Sequence, residues 1–258
     1  MKLIIDTKER VAELAAQQYR TLLSDKPDAV LGLATGSTPL GLYAALARLH
    51  KAGAIRFSSA TSFNLDEYVG LAPTHEQSYR YFMMHNLFRY IDLPEERIHV
   101  PSGLDTSDDA LADYDRAIEA AGGIDLQLLG IGNNGHIGFN EPGTPFGSLT
   151  HVVELTESTR EANKRFFNSI DEVPTHAATM GIRTVMNARG ILLIALGKAK
   201  AEIMKKRSAA RSRKKSPRPC CSFIRTARST AMRRRLHSYD EKHGSVCRLF
   251  GVACRAAV

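Results

Sequence analysis

Asp125-Leu-Gln-Leu-Leu-Gly-Ile-Gly-Asn-Asn-Gly-His-Ile-Gly-Phe-Asn-Glu-Pro142 decides how the rest of this chain is read. Its first five residues are a short apolar run of the kind that forms a buried strand in a parallel sheet. The run then gives way to a polar loop punctuated by Gly130, Gly132, Gly135 and Gly138, which let the backbone turn sharply and come close to a ligand. Open α/β sheets bind their ligands beyond the carboxyl ends of their strands, where this loop would lie. A lone histidine in a glycine-rich turn is most simply a satisfied structural residue. Here Asn134, His136, Asn140 and Glu141 crowd into one short segment, and that density favours an active-site loop.

The flanking sequence supplies the other strands and helices of such a sheet. Lys2–Ile5 reads as a strand, followed by a helix capped by Asp6, with Glu9 completing a capping box. Ala29–Ala34 is a second buried strand, and it runs directly into Thr35-Gly36-Ser37-Thr38-Pro39. Thr38 suits an N-cap and Pro39 a first helical turn, so a helix should follow to about His50. A strand, a hydroxyl-bearing turn and a helix N-terminus together make an anion site, although an ordinary capped turn has the same pattern. Ala60–Asn64 is a third strand, and it leads into Leu65-Asp66-Glu67. A carboxylate there is placed for general-base work, whereas an acidic pair in a solvated turn is the commoner fate. Ser78–Tyr90 and Ser107–Ala121 read as amphipathic helices. Leu155–Phe167 carries weak helical periodicity and Arg165, whose donor fork suits phosphate if the segment is a lid and not simply a charged surface helix. Gly190–Leu196 is the last buried strand, with Gly197–Lys200 at its end. The alternation specifies a three-layer, doubly wound, mainly parallel α/β sheet of modified Rossmann-like type.

Composition divides the 258 residues in two. Residues 1–204 hold 19 Lys and Arg against 25 Asp and Glu, whereas residues 205–258 hold 16 against 2, a change from −6 to +14. Cys220, Cys221, Cys247 and Cys254 all fall in the basic part, at spacings that match no zinc pattern. A basic tail can serve as a nucleic-acid arm, but its charges follow no helical register. No apolar run reaches membrane-spanning length and the N-terminus lacks a signal-peptide core, so a cytoplasmic location is expected.

Five segments carry a resemblance to a known family. Thr35–Pro39, Asn64–Gly70, Gly132–Pro142, Ala162–Phe167 and Gly197–Lys200 are similar, in order and spacing, to glucosamine-6-phosphate deaminases, over roughly residues 1–206. The resemblance implies conversion of glucosamine 6-phosphate to fructose 6-phosphate and ammonia, in amino-sugar catabolism, with no metal or organic cofactor. It implies that His136 opens the sugar ring, supported by Glu141 and Asn134. Some members carry Asp at the Asn134 position, so here that residue orients and cannot act as acid or base. Asp66 would move the C2 proton to C1, and Thr35, Gly36, Ser37, Thr38, Arg165 and Lys200 would hold the phosphate. The family includes short members as well as longer, regulated hexamers, and the reconstructed length described below points to a monomer or small homo-oligomer. The competing readings are a 6-phosphogluconolactonase or sugar-phosphate isomerase on the same scaffold, a sugar-phosphate sensor without catalysis, and a nucleic-acid binder acting through the tail.

Residues 207–258 depart from the family pattern, which calls for a helix and then a segment ending close to Leu-Gln-Leu-His-Pro-Asp. In the frame displaced by two bases, codons for Arg207–Thr230 permit LSGPVTEEVPASVLQLHPDSSIY. The same frame continues as YSDAAAATQ and reaches a stop at Tyr239-Asp240. The expectation is therefore a deaminase-like domain over 1–206 and an out-of-frame basic tail over 207–258 without ordered structure, leaving exposed core surface.

Overall fold

Three strands made almost wholly of buried residues form the centre of the sheet: β2 (Val30–Leu33), β6 (Leu126–Leu129) and β9 (Gly190–Leu196). Near-continuous burial is what a strand covered on both faces requires. In the computed structural model, which describes residues 2–197, 200 and 247–253, they join β1 (Lys2–Asp6), β3 (Thr61–Asn64), β5 (Ile98–His99) and β10 (Cys247–Ala253). The order across the sheet is β1-β10-β9-β6-β2-β3-β5. Every pairing from β9 to β5 is parallel, and β10 is antiparallel to both of its neighbours.

The helices are α1 (Lys8–Asp25), α2 (Leu40–Lys51), α3 (Tyr79–Asn86), α4 (Asp108–Ala120), α5 (Glu157–Asn163) and α6 (Ile182–Met186). From β1 to β5 the chain moves across the sheet in one direction, and from β5 through β6 to β9 it moves back. Right-handed crossovers therefore put α1, α2 and α3 on one face, and α4 and α6 on the other. Close packing on the first face shows at Gly41, where a β-carbon would sit 3.2 Å from that of Ala12. On the other face Tyr114 of α4 meets Phe63 of β3 edge-on and donates to the Asn64 carbonyl at 2.8 Å. The expected doubly wound architecture is what forms.

Several local expectations shift. The cap of α1 is Thr7, whose hydroxyl accepts from the Arg10 amide, while Asp6 accepts from the Thr7 amide one step earlier. Helix α2 begins at Leu40 with Pro39 at the cap position and no side-chain cap, so Thr38 does not have that role. The Ser78–Tyr90 segment divides at Leu87 into α3 and a 3-10 turn, Phe88–Tyr90. Asp66 does not end β3. It opens β4 (Asp66–Tyr68), part of a second, antiparallel sheet, β4-β8-β7, with β7 (His151–Glu154) and β8 (His176–Thr179). Segments of the β3–β5 and β6–β9 connections thus pair to build a platform beside the main sheet.

The expectation that everything after Lys206 lacks order is corrected at Cys247–Ala253. That segment pairs along its whole length with Gly190–Leu196, and through Gly251 with β1. Without it β1 and β9 would present unpaired backbone groups in the sheet's interior, and an extended, largely apolar stretch satisfies both rows at once. The expected disorder elsewhere in 207–258 lies outside the described residues. Among the described residues no helix is long and apolar enough to cross a membrane.

Candidate active site

Strands β2 and β6 are neighbours, yet the chain leaves them in opposite directions, towards β3 from one and β9 from the other. This is the topological switch point, where an open α/β sheet has its crevice. The two turns that leave the carboxyl ends there are Thr35–Pro39 and the 130–142 loop. The strands approach unusually closely in side-chain terms: the buried Gln127 amide lies over Gly32, where a β-carbon would come within 2.1 Å of its oxygen.

Inside the loop the polar residues bind one another. The Asn134 amide donates to Glu141 Oε2, and Asn134 Oδ1 accepts from the His136 backbone at 3.1 Å. The other Glu141 oxygen stands 3.7 Å from His136 Nδ1, a charge contact longer than a hydrogen bond. The imidazole packs flat against Gly132, where a β-carbon would fall 2.3 Å from the ring. No larger residue fits that position without displacing the histidine. Burial pulls the His136 pKa down, Glu141 opposes this, and Lys200 adds to the lowering. The ring is thus neutral near pH 7 and able to take a proton. Lys200 is held beside the loop by donating to Asn133 Oδ1 at 2.6 Å, and burial lowers its pKa too.

Asp66 reaches the same loop from the platform. A β-carbon on Gly138 would lie 3.4 Å from Asp66 Oδ2 and 2.9 Å from Thr179 Oγ1. Gly138 has φ +58°, so both its conformation and its surroundings exclude a side chain. Thr179, opposite Asp66 in the β4–β8 ladder, takes the Phe139 amide on its hydroxyl at 3.3 Å and so ties the loop to the platform. Asn140 fastens it further by donating to the carbonyls of Ile137 and Met180. Asp66 is only 6 % exposed, and burial, with the charge of Glu67 added, pushes its carboxyl up to about 8. A base of that strength is matched to carbon acids at neutral pH.

The sequence-derived residues therefore fall into three groups. Asp66, Asn134, His136, Glu141 and Lys200 are brought to one loop. Thr35, Gly36, Ser37 and Thr38 lie in the neighbouring switch-point turn, with Gly36 and Ser37 exposed. Arg165 is exposed in the 3-10 turn Lys164–Phe166 that follows α5, its guanidinium stacked on Phe166 at 4.7 Å. Sequence reasoning missed Asn133, Gly138 and Thr179 as positioning elements. Only Gly138 left a signal there, its place among the loop glycines. Among the described residues no three metal-ligating side chains converge.

A buried carboxylate and a carboxylate-backed histidine beside the switch point are the residue types that acid–base catalysis on a small polar molecule uses. The family is fixed by comparison: the chain belongs to the glucosamine-6-phosphate isomerase/6-phosphogluconolactonase family, whose model matches residues 6–232. It is 52 % identical over 207 residues to glucosamine-6-phosphate deaminase of Thermoanaerobacter sp. (strain X514), covering 80 % of this chain and 82 % of that protein. Identity to the deaminase of Lachnoclostridium phytofermentans is 60 % over 182 residues, covering 70 % and 77 %. Among solved structures, a monomeric glucosamine-6-phosphate deaminase superposes with a TM-score of 0.76 at 45 % identity, covering 80 % of this chain and 86 % of that one. The 6-phosphogluconolactonase from Trypanosoma brucei, at 18 % identity and a TM-score of 0.64, shares the fold.

Proposed function

We propose that this chain is a glucosamine-6-phosphate deaminase that isomerises and hydrolyses its substrate to fructose 6-phosphate and ammonia, working in the cytoplasm as a monomer or small homo-oligomer. The observation that carries the reading is the abutment of Asp66 on Gly138, which puts a buried, strongly basic carboxylate against the loop that holds His136. Deamination needs both groups. His136, oriented by Glu141 and with Asn134 fixing that carboxylate, shuttles the proton that opens the pyranose. Asp66 then takes the C2 proton of the open-chain sugar and returns it to C1. The resulting ketimine at C2 adds water and expels ammonia, so one water is consumed for each ammonia released. The 35–38 turn, Lys200 and Arg165 hold the phosphate, which fixes C1 and C2 relative to Asp66. A lactonase has no use for a base at C2, and the likeness to lactonases is one of fold. The test is ammonia release from glucosamine 6-phosphate, beside hydrolysis of 6-phosphogluconolactone. Ammonia without lactone hydrolysis is expected, and the reverse overturns the assignment.

We also infer that residues 207–239 are an out-of-frame C-terminus, followed by read-through. The span of 201–207 aligned residues in several deaminases and the reversal of charge near Lys206 support this. Sequencing the locus decides it, since an intact frame through codon 207 overturns the inference.

A further inference from the structure

Glu67 is 2 % exposed and has no place in the steps above, yet among the described residues it carries one of the most fully bonded carboxylates. Its Oε1 accepts from the backbone amides of Tyr68 and Tyr79, both at 2.8 Å, and its Oε2 from that of Arg80 at 2.9 Å. Tyr79 and Arg80 are the first two residues of α3, whose amides have no partner within the helix. Ser78 takes the next amide, Tyr81, on its hydroxyl at 3.0 Å. Gly103 closes the other side, where a β-carbon would lie 3.3 Å from Glu67 Cγ and 2.3 Å from the Tyr68 carbonyl. A carboxylate at a helix N-terminus, with three amide donors, is held in one orientation; burial raises the Glu67 pKa, and the three amide bonds pull it back down.

We propose that Glu67 is a positioning residue for the reaction: by capping α3 it locks β4 so that Asp66 faces Gly138, and it keeps a fixed negative charge beside that base. The proposal rests on the deaminase reading for its kinetic part alone. Adjacent strand residues point to opposite faces, so anchoring Glu67 in α3 directs Asp66 towards the loop. The titratable groups coupled to Asp66 are Glu67 and the phenols of Tyr43 on α2, Tyr68 on β4, Tyr79 on α3 and Tyr114 on α4. Burial raises all four phenols, which therefore stay neutral, so among these groups Glu67 supplies the ionic influence. It makes Asp66 a stronger base than burial alone would.

The experiment is a carbon-13 NMR titration of the full chain labelled at the aspartate and glutamate side-chain carboxyls. Asp66 is assigned by loss of its signal in Asp66→Asn, and Glu67→Gln, Glu67→Asp and Ser78→Ala are compared. The unaltered chain should show an Asp66 midpoint near 8. Glu67→Gln should lower it by about one pH unit or more, the scale of a neighbouring charge. Glu67→Asp should restore most of the difference, and Ser78→Ala, which weakens the same helix end, should lower the melting temperature and leave the midpoint in place. In ammonia-release assays the acid limb of kcat/KM should follow the midpoint while KM stays within about twofold. An ordinary Asp66 midpoint in the unaltered chain overturns the proposal without any variant. So does an unmoved midpoint in folded Glu67→Gln, or an equal shift in Ser78→Ala. The titration needs no substrate, so a shifted midpoint without ammonia release overturns the deaminase reading and leaves the role of Glu67 intact.

Discussion

The two edges of β9 face differently built halves of the sheet. From β6 to β5 every strand arises within the first 130 residues, pairs in parallel with its neighbours and feeds a loop or helix close by in sequence. From β9 to β1 the sheet is completed by β10, which lies about fifty residues beyond β9 and runs the opposite way. The first half holds the candidate chemistry and the second closes the core around it. The difference teaches that the centre of a candidate site can lie in one part of the chain while the stability of the strands beneath it depends on a distant one. A reading error in the tail therefore threatens folding without touching a single residue of the His136 loop.

The sharpest way to separate the halves is to remove chemistry and keep the fold. Asp66→Asn should lower kcat for ammonia release by about a thousandfold or more, within the range of positioned general bases, with little change in KM. The same substitution should alter stability with a definite sign. Because the folded chain raises the Asp66 pKa to about 8 from an unfolded value near 4, it binds the proton more tightly than the unfolded chain does. Stability is then greatest below the unfolded value and declines as pH climbs to about 8, at a limiting rate of about 1.4 kcal/mol per unit. Urea unfolding of Asp66→Asn should lack that decline and show a more stable protein at pH 9. A matching decline in the variant would place the titration elsewhere.

The converse removes part of the fold and keeps the chemistry. Ending the chain after residue 246 deletes β10 and leaves β1 and β9 with open edges inside the sheet. The expected loss is about 4 kcal/mol, or roughly 10 °C in melting temperature, with aggregation above it. A frame-restored C-terminus should melt higher than the chain as it stands. Equal melting points for all three forms would show that the β9–β10 pairing contributes nothing. Next in size, His136→Gln should cost about a hundredfold in kcat at unchanged stability, since the ring lies on Gly132 at the half-exposed loop and not in the core.

What the sequence made legible follows the same division. The strand-to-loop change at Leu129–Gly130 and the spacing of Asn134, His136 and Glu141 sufficed to single out the candidate loop, because glycine punctuation and polar density are local signals. Asp66 was found as a residue but misplaced at the end of β3, because nothing local shows that Leu65 separates two sheets. That boundary is set by pairing with His176–Thr179, more than a hundred residues away. Thr179 and Asn133 were invisible for the same reason, being ordinary residues until the fold sets them beside Gly138 and Lys200. The caps moved by one residue, to Thr7, which takes the Arg10 amide while Asp6 takes that of Thr7, and to Pro39, which caps α2 with no side-chain bond. Cys247–Ala253 was read as disordered because its segment is basic and aperiodic as a whole. Seven apolar-leaning residues facing two unpaired strand edges were enough to override that composition.

The smallest predicted effect links the two halves. Lys200 follows β9, the strand that β10 completes, and it reaches the loop through the 2.6 Å bond to Asn133. In its proposed role as a phosphate ligand it contributes binding common to the ground and transition states, so Lys200→Ala should raise KM about tenfold with kcat nearly unchanged. Asn133→Ala removes the tether and keeps the charge, and should raise KM by about threefold. The folded fraction of the chain ending at residue 246 should behave like Asn133→Ala, because a β9 without its antiparallel partner holds Lys200 less firmly. If KM in that fraction equals that of the full chain, β9 keeps its position without β10, and the two halves are independent in function as well as in sequence.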